Sequence, residues 1–153
     1  MRKLRLYFDT SVFGGVYDVE FQEETEMLFE MVKNGEIICV YSDLCEFELE
    51  NAPETVKEHF LSLDKNQTEF VEITEEINQL AEEYVKEKVV GQTSIDDCRH
   101  IACATIYKVD YLVSWNFKHI VNVFRIRGYN AINIKNGHIQ LDIRSPKEII
   151  RNE

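Results

Sequence analysis

The stretch Leu4-Arg-Leu-Tyr-Phe8, followed by Asp9-Thr10-Ser11, decides the fold. The short alternating pattern from Leu4 to Phe8 predicts a β-strand, and Asp9 stands directly after it. In open α/β sheets ligands bind where parallel strands end, so a carboxylate at this position indicates part of a site. An aspartate before two hydroxyl residues is also typical of a turn or a helix cap. The site hypothesis therefore requires further carboxylates in matching places.

The composition is that of a globular protein with an acidic balance. The chain has 153 residues, of which 44% are hydrophobic, and its formal net charge is −11. This length suits one domain with a real core, and we expect a single domain over residues 1–153. No apolar stretch approaches the length of a membrane span, and the basic N-terminus passes straight into the strand, so we predict a cytoplasmic protein.

The cysteines lie within strand and helix patterns. We expect them to be small buried hydrophobes in a reducing compartment and not to form disulfides. They are Cys39, Cys45, Cys98 and Cys103.

The charges are unevenly distributed along the chain. Between Asp18 and Asp97 there are 23 acidic residues and 5 Lys or Arg, whereas from Lys118 to the end there are 7 Lys or Arg and 3 acids. An acidic chain of this kind argues against nonspecific coating of nucleic acid, which needs basic side chains to neutralise phosphates. A polyanion should therefore approach through the C-terminal third. Most of the glutamates are expected to be solvated helix faces.

Strand and helix patterns alternate, which predicts an α/β fold with a mainly parallel sheet covered on both faces. A hairpin-like turn is predicted at Asn136-Gly137, and Pro146 suits a helix start. The predicted strands are Leu4–Phe8, Ile37–Tyr41, Phe70–Ile73, Tyr111–Ser114 and Ala131–Ile134. The predicted helices are Glu23–Val32, Asp43–Asn51, Thr55–Leu63, a helix capped by Thr74 that runs to about Lys88, Ser94–Lys108 and Phe117–Arg127.

Glu48 is the anomalous residue of the short helix after the second strand. On a helical wheel it falls near the centre of the apolar arc, while Glu46 points to the opposite side. That arc is formed by Leu44, Cys45, Phe47 and Leu49. A carboxylate that faces the core is costly unless it is paired, hydrogen-bonded or bound to a cation. We therefore predict a functional role or a buried ion pair for Glu48 and a solvated position for Glu46.

Asp97 is the third candidate carboxylate. It follows Asp96 at the start of a predicted helix, where both acids suit a capping role. The helical wheel places Asp97 on the flank shared with Ile101 and Ala104 and turns Asp96 further from the apolar arc. His100 lies four residues after Asp96, a spacing that suits a metal, but this helix has no second histidine, so no zinc site is predicted.

The order of these motifs resembles the PIN domain, the fold of VapC-type toxin ribonucleases. The motifs are the strand ending in Asp9-Thr-Ser, Glu48 in a short helix, Asp97-x-x-His-Ile-Ala-x-Ala and Leu112-Val-Ser-Trp-Asn-Phe117. The resemblance covers nearly the whole chain. It implies a three-layer α/β/α sandwich with a mainly parallel five-stranded sheet.

The resemblance also implies a metal site. In that family three or four acidic residues converge at the carboxyl end of the sheet and hold Mg²⁺ or Mn²⁺. By motif position these are Asp9, Glu48 and Asp97, and the fourth position, usually an aspartate, is Asn116. Because an asparagine supplies no negative charge, we expect one metal subsite to be weaker. Considered without the resemblance, Asn116 suits a turn after a strand.

Hydroxyl and basic residues complete the expected site. Ser114 matches a small hydroxyl position of the family and is expected to orient a carboxylate, as are Thr10 and Ser11 beside Asp9. Four further residues are candidates for contact with RNA phosphates, although each also suits a solvated helix position. They are Lys118, His119, Arg125 and Arg127.

The implied function is a Mg²⁺- or Mn²⁺-dependent endoribonuclease that hydrolyses RNA as the toxin of a type II toxin–antitoxin pair. Asp9, Glu48 and Asp97 would be metal ligands and Asn116 an outer ligand or a water positioner. The resemblance further implies a homodimer and a small antitoxin partner. A second hypothesis is a binding module that keeps the fold but has a weakened or lost nuclease site. Residues that suit either a docking surface or the core are Phe13, Val16, Tyr17 and Phe21.

Overall fold

The computed structural model of the chain describes residues 2–150. Strands and helices alternate through most of this range. In chain order they are β1 (Leu4–Phe8), α1 (Thr10–Gly15), α2 (Gln22–Lys33), β2 (Ile37–Ser42), α3 (Asp43–Leu49), α4 (Glu54–Leu61), β3 (Thr68–Val71), α5 (Glu75–Lys86), α6 (Ile95–Ile106), β4 (Tyr111–Val113), α7 (Val123–Lys135), β5 (Ile143–Arg144) and α8 (Pro146–Ile150). Short 3₁₀ turns lie at Lys65–Gln67 and Gln92–Ser94.

The sheet has five strands in the order β3-β2-β1-β4-β5, and all neighbouring strands are parallel. β1 lies at its centre, where Tyr7 aligns with Val40 of β2 and Phe8 aligns with Val113 of β4. Helices α5, α6 and α7 pack together, and α1, α2, α4 and α8 form a second group. This is the three-layer α/β/α sandwich that the sequence predicted.

The central strand explains why the opening stretch decides the fold. Leu6, Tyr7 and Phe8 are fully buried, as expected for a strand covered by helices on both faces. Because all strands run in the same direction, their carboxyl ends meet at one edge, and Asp9 lies there. The alternating start therefore leads into the central strand of the sheet.

The predicted strand Ala131–Ile134 is wrong, because these residues belong to α7. The buried face of α7 carries Tyr129, Asn130, Ile132 and Asn133, a helical spacing that includes two asparagines. Both asparagines have internal partners: Asn133 bonds to Tyr84 and Thr105, and Asn130 bonds to the backbone of Leu141. Buried amides with partners are invisible to an apolar/polar pattern. The fifth strand lies later, at Ile143–Arg144.

The predicted helix Phe117–Arg127 is also displaced. Residues 117–120 form a turn, and α7 begins after Asn122, whose side chain accepts hydrogen bonds from the N–H groups of Phe124 and Arg125. Gly128 does not end this helix. A Cβ at Gly128 would lie 2.8 Å from Val89 Cγ1, so the glycine permits close packing inside α7.

The turn at Asn136-Gly137 ends a helix and does not join two strands. Gly137 has a φ of +79°, and the N–H of His138 bonds to the carbonyl of Asn133, 2.8 Å away. A glycine with positive φ just after a helix is a common C-terminal cap. The predicted hairpin is therefore wrong, although the turn residues were identified.

Helix α1 was not predicted, and it changes the interpretation of the segment after β1. Val12 and Phe13 are fully buried there, so Phe13 belongs to the core. Tyr17, by contrast, is 51% exposed.

The cysteines agree with the prediction that they are small buried hydrophobes. Cys39, Cys45, Cys98 and Cys103 are all buried and free. None of the helices within residues 2–150 is long and apolar enough to span a bilayer.

Candidate functional site

Asp9 lies at the carboxyl end of the central strand and is almost completely buried, with 4% of its surface exposed. Its Oδ1 accepts a hydrogen bond from Ser11 Oγ (2.5 Å), and its Oδ2 accepts one from Ser114 Oγ (2.8 Å). Burial raises the pKa of Asp9, although the charge of His100 and the two hydroxyl donors oppose the rise. The fold thus orients both oxygens of this carboxylate but compensates its negative charge only in part.

Glu48 is brought to the same edge by helix α3, which begins directly after β2 with Ser42 as its cap. Its Oε1 accepts hydrogen bonds from Thr10 Oγ1 (2.6 Å) and from His100 Nε2 (2.6 Å). Burial raises its pKa, but the bond and charge of His100, together with the Thr10 hydroxyl, hold that pKa below its ordinary value. Both donors bind Oε1, which leaves Oε2 for another ligand.

The inward position of Glu48 agrees with the helical wheel, and Glu46 is exposed as predicted. Phe47 does not agree with the helical wheel, because Phe47 is 63% exposed while Cys45 and Leu49 are buried. The buried face of α3 is therefore narrower than the apolar arc read from the sequence.

His100 connects Glu48 to the core. The ring is 2% exposed, and its Nδ1 lies 2.7 Å from the Tyr7 hydroxyl, which is 2.7 Å from Ser42 Oγ. Burial disfavours protonation of this ring. The nearby Cys45 thiol and the carboxylates of Glu48 and Asp9 outweigh burial, so the pKa of His100 lies well above its ordinary value. This shift favours the protonated form of the imidazole beside the carboxylates.

Asp97 lies in the first turn of α6, one turn before His100. Burial raises its pKa first, and the charge of Asp9 raises it further, while His100 and His119 lower it. Glu48 adds a smaller repulsion. The three predicted carboxylates are therefore close enough to repel one another. Asp96 is separate, because it pairs with Arg99 at 2.5 Å.

Asn116 occupies the turn after β4. Its Oδ1 accepts hydrogen bonds from the backbone N–H groups of Lys118 (3.2 Å) and His119 (3.0 Å). An asparagine side chain that accepts hydrogen bonds from the following N–H groups is typical of a turn after a strand, as the sequence predicted without the resemblance. Its role as an outer ligand stays a prediction.

The basic candidates differ in their availability. Lys118 and Arg127 are exposed, whereas the Arg125 guanidinium donates to the carbonyl of Val89. His119 is half-buried, and its Nδ1 is buried without a hydrogen-bond partner in residues 2–150. Because His119 lowers the pKa of Asp97, it is the basic candidate that the structure shows to lie near the acids.

The donor set suits a hard divalent cation. Asp9, Glu48 and Asp97 offer carboxylate oxygens, the ligands that Mg²⁺ and Mn²⁺ prefer, and their mutual repulsion is what a cation relieves. However, the three carboxylates do not form a complete set of metal ligands in this arrangement. Within the part of the chain that the structure describes, no three His, Cys, Asp or Glu side chains form a ready metal-binding group. The carboxylates therefore fit a metal by chemistry and charge, without a preformed cage.

A cavity of about 630 Å³ lies elsewhere, between α2 and α4, and it contains none of the predicted site residues. Phe29 and His59 contribute to its lining. The acidic site is thus an edge of the sheet and not part of this cavity.

Solved structures share the fold. One is a chain of VapBC2 from Rickettsia felis, crystallised bound to a DNA fragment from its promoter. It superposes with a TM-score of 0.54 at 15% identity, over 93% of the present chain and 98% of its own. The fold is PIN-like. A toxin–antitoxin complex from Klebsiella pneumoniae gives a TM-score of 0.55 at 15% identity, over 74% and 88% of the two chains. At these identities the likeness concerns the fold alone.

No known family model matches the sequence, and neither does any curated protein. The PIN-like fold therefore rests on three-dimensional similarity and on the order of the motifs.

Sequence reasoning missed the roles of His100 and Tyr7. His100 was considered only as a metal ligand with Asp96, and its partner Tyr7 is 93 positions away along the chain. One signal was present. His100 lies three residues after Asp97, and side chains three residues apart are neighbours on a helix surface, so this spacing could have placed the histidine beside that carboxylate.

Proposed function

We propose that the protein is a Mg²⁺- or Mn²⁺-dependent endoribonuclease. The observation that supports this most is the convergence of Asp9, Glu48 and Asp97 at the carboxyl edge of a PIN-like sheet, with the pKa values of both aspartates raised. An ion pair that only stabilises the fold does not require several acids close together. Buried carboxylates that repel one another destabilise the fold, and such a group is typical of a cation site.

The chain's own residues hold the three carboxylates in place. Ser11 and Ser114 fix the two oxygens of Asp9, and each oxygen retains a second lone pair for a ligand. His100 and Thr10 fix Oε1 of Glu48. A divalent ion bound there would lower the pKa of a water and offset phosphate charge. The proposed site belongs to one PIN-like unit over residues 1–153, and RNA phosphates would contact Lys118, His119 and Arg127.

The proposal extends to the cellular role. Two of the structural neighbours are toxin–antitoxin assemblies, which supports a small antitoxin partner and a toxin role for this chain. A homodimer in the cytoplasm is part of the same proposal. Tyr17 and Val19, at 51% and 93% exposure, are apolar surface available to a partner.

The test is cleavage of single-stranded RNA with Mn²⁺ and with EDTA. We expect cleavage only with Mn²⁺ and a loss of at least roughly 100-fold in Asp9→Asn, since even changes behind a metal ligand cost about 10–100-fold. Glu48→Gln and Asp97→Asn should behave similarly. The matched controls Glu46→Gln and Asp96→Asn should retain activity. Unchanged activity in Asp9→Asn would overturn the proposal.

A binding module is the second candidate function. It is favoured by the absence, within residues 2–150, of a ready metal-binding group and by the turn-capping role of Asn116. Calorimetry distinguishes the two. Weak Mn²⁺ binding together with no cleavage of varied RNAs would support a binding module.

A further inference from the structure

Three aromatic rings form a cluster next to the acidic edge of the sheet. Phe21 stacks on Trp115 with ring centroids 4.1 Å apart and an angle of 16° between the planes. Phe117 lies 6.0 Å from Trp115 and 6.3 Å from Phe21. We call Phe21, Trp115 and Phe117 the aromatic platform.

Trp115 is held from several sides. Its backbone N–H donates to Ser11 Oγ (3.0 Å), and its indole Nε1–H donates to Thr25 Oγ1 (2.8 Å). Gly15 leaves room for the ring, since a Cβ there would lie 2.8 Å from Trp115 Nε1. The indole is therefore preorganised and does not need to be ordered when a ligand arrives.

The platform is linked directly to the acidic site. Ser11 Oγ accepts from Trp115 N–H and donates to Asp9 Oδ1. Ser114, which precedes Trp115, donates to Asp9 Oδ2, and Asn116 caps the turn that carries Phe117. A ligand whose phosphate reaches Asp9 would thus have the platform beside it.

Phe117 is the member of the platform that a ligand can reach. Trp115 is only 6% exposed, whereas Phe117 is 48% exposed. The residue after it, Lys118, is also exposed, and the chain from there to its end is basic. Helix α2, which follows Phe21, carries four glutamates, Glu23, Glu24, Glu26 and Glu30.

This combination suits a nucleotide better than a protein side chain. Single-stranded RNA offers flat bases that stack on aromatic rings and phosphates that need cations. Phe117 supplies a half-exposed ring, and Lys118 supplies an exposed charge at the next position of the chain. The acidic surface of α2 would repel a polyanion, so the strand should leave the site in a direction away from α2.

We propose that the aromatic platform is a base-stacking subsite in which an unpaired RNA base packs on Phe117 beside the acidic site. The inference rests on the proposed nuclease function for its choice of ligand. The subsite would favour unpaired over duplex RNA, because a base inside a duplex does not expose its face.

The experiment measures RNA binding without cleavage, on the full chain in EDTA. Trp115 is the only tryptophan of the chain, so its fluorescence reports on the platform. A short oligoadenylate and an abasic oligomer of equal length are titrated, and RNA integrity is checked on a gel. We expect the oligoadenylate, but not the abasic strand, to quench Trp115.

Three variants determine what Phe117 contributes. Phe117→Ala should raise the dissociation constant for oligoadenylate roughly 5- to 150-fold, which is the range of affinity that one base–aromatic stack provides. Phe117→Tyr should retain most of the affinity, and Phe117→Leu should not. The control is Phe70→Ala on β3, where the phenylalanine has a similar exposure of 46%.

Several results would overturn the subsite. Two of them are no measurable RNA binding and an affinity of Phe117→Ala equal to that of the wild type. The third is wild-type affinity in Phe117→Leu, because it would indicate the plain apolar contact that a protein partner uses. Metal-dependent cleavage with no effect of Phe117 would refute the subsite alone. Stacking without cleavage in Mn²⁺ would refute the nuclease and leave the subsite standing.

Discussion

The two halves of the acidic site differ in how their charge is balanced. Burial raises the pKa of Glu48, but its hydrogen bonds from His100 and Thr10 and the charge of His100 hold that pKa below the ordinary value. Burial raises the pKa values of Asp9 and Asp97, and a neighbouring carboxylate raises each further, Glu48 for Asp9 and chiefly Asp9 for Asp97. The fold thus supplies an internal cation to one carboxylate and leaves the other two undercompensated.

This difference indicates what each half does. A carboxylate paired within the protein contributes to stability, whereas two repelling carboxylates cost stability that only an external cation returns. The glutamate half should therefore hold the site together, and the aspartate half should respond to metal. Substitutions in the two halves should change stability in opposite directions.

His100→Leu should have the largest effect on stability, because it breaks the compensated half. It removes the cation beside Glu48 and one partner of the Tyr7 hydroxyl inside the core. Loss of one member of a buried pair costs about 3–5 kcal/mol, and since the Glu48 side chain is 30% exposed we expect about 2–3 kcal/mol. Urea denaturation measures the loss.

The double variant His100→Leu/Glu48→Leu is the control for that interpretation. If the cost arises from an unpaired carboxylate, removing it should recover part of the stability. Additive losses would show instead that His100 acts through packing alone.

The same contrast shows how much could be predicted from the sequence. The strand at Leu4–Phe8 was found from its alternating pattern, and Ile37–Tyr41 was found because a buried parallel strand is a short apolar run. The inward position of Glu48 followed from the periodicity of one helix. These features depend on neighbours within a few residues.

Other features depend on contacts between distant segments. The compensation of Glu48 needs His100, which lies 52 positions away, and α7 hides two asparagines whose partners lie on α5, on α6 and in the segment before β5. No local pattern distinguishes a buried amide with a partner from an exposed one. For this reason the sequence singled out Asp9, Glu48 and Asp97 as candidates but not the charge balance among them.

Asp97→Asn should have a smaller effect of the opposite sign. Removing a charge that burial and Asp9 both oppose should stabilise the metal-free protein. Because Asp97 is only partly buried and solvent screens its charge, the gain should be about 0.5–1 kcal/mol, or roughly 1–4 °C in Tm. Thermal unfolding with and without Mn²⁺ measures this. The variant should also lose most of the rise in Tm that Mn²⁺ gives the wild type.

Asp96→Asn is the matched control on the same turn of α6. Asp96 pairs with Arg99, so its loss should cost a few tenths of a kcal/mol and leave the Mn²⁺ response intact. Equal behaviour of the two variants would mean that Asp97 is an ordinary acid of a helix start.

The pH dependence of these differences is the smallest effect and separates the two halves most directly. The folded pKa of Asp97 is above its ordinary 3.8, so the folded state binds a proton more readily and the cost of its charge decreases as pH falls toward 3.8. The stability advantage of Asp97→Asn should therefore shrink as pH falls from the folded pKa of Asp97 toward 3.8.

The folded pKa of Glu48 is below its ordinary 4.5, so the contribution of Glu48 to stability is complete above pH 4.5 and is lost as pH falls through the folded pKa. The deficit of Glu48→Gln should stay constant down to about pH 4.5 and shrink only below it. Urea denaturation between pH 8 and about pH 4 measures both differences, and an advantage of Asp97→Asn that does not change with pH would show that repulsion among the acids does not set its stability.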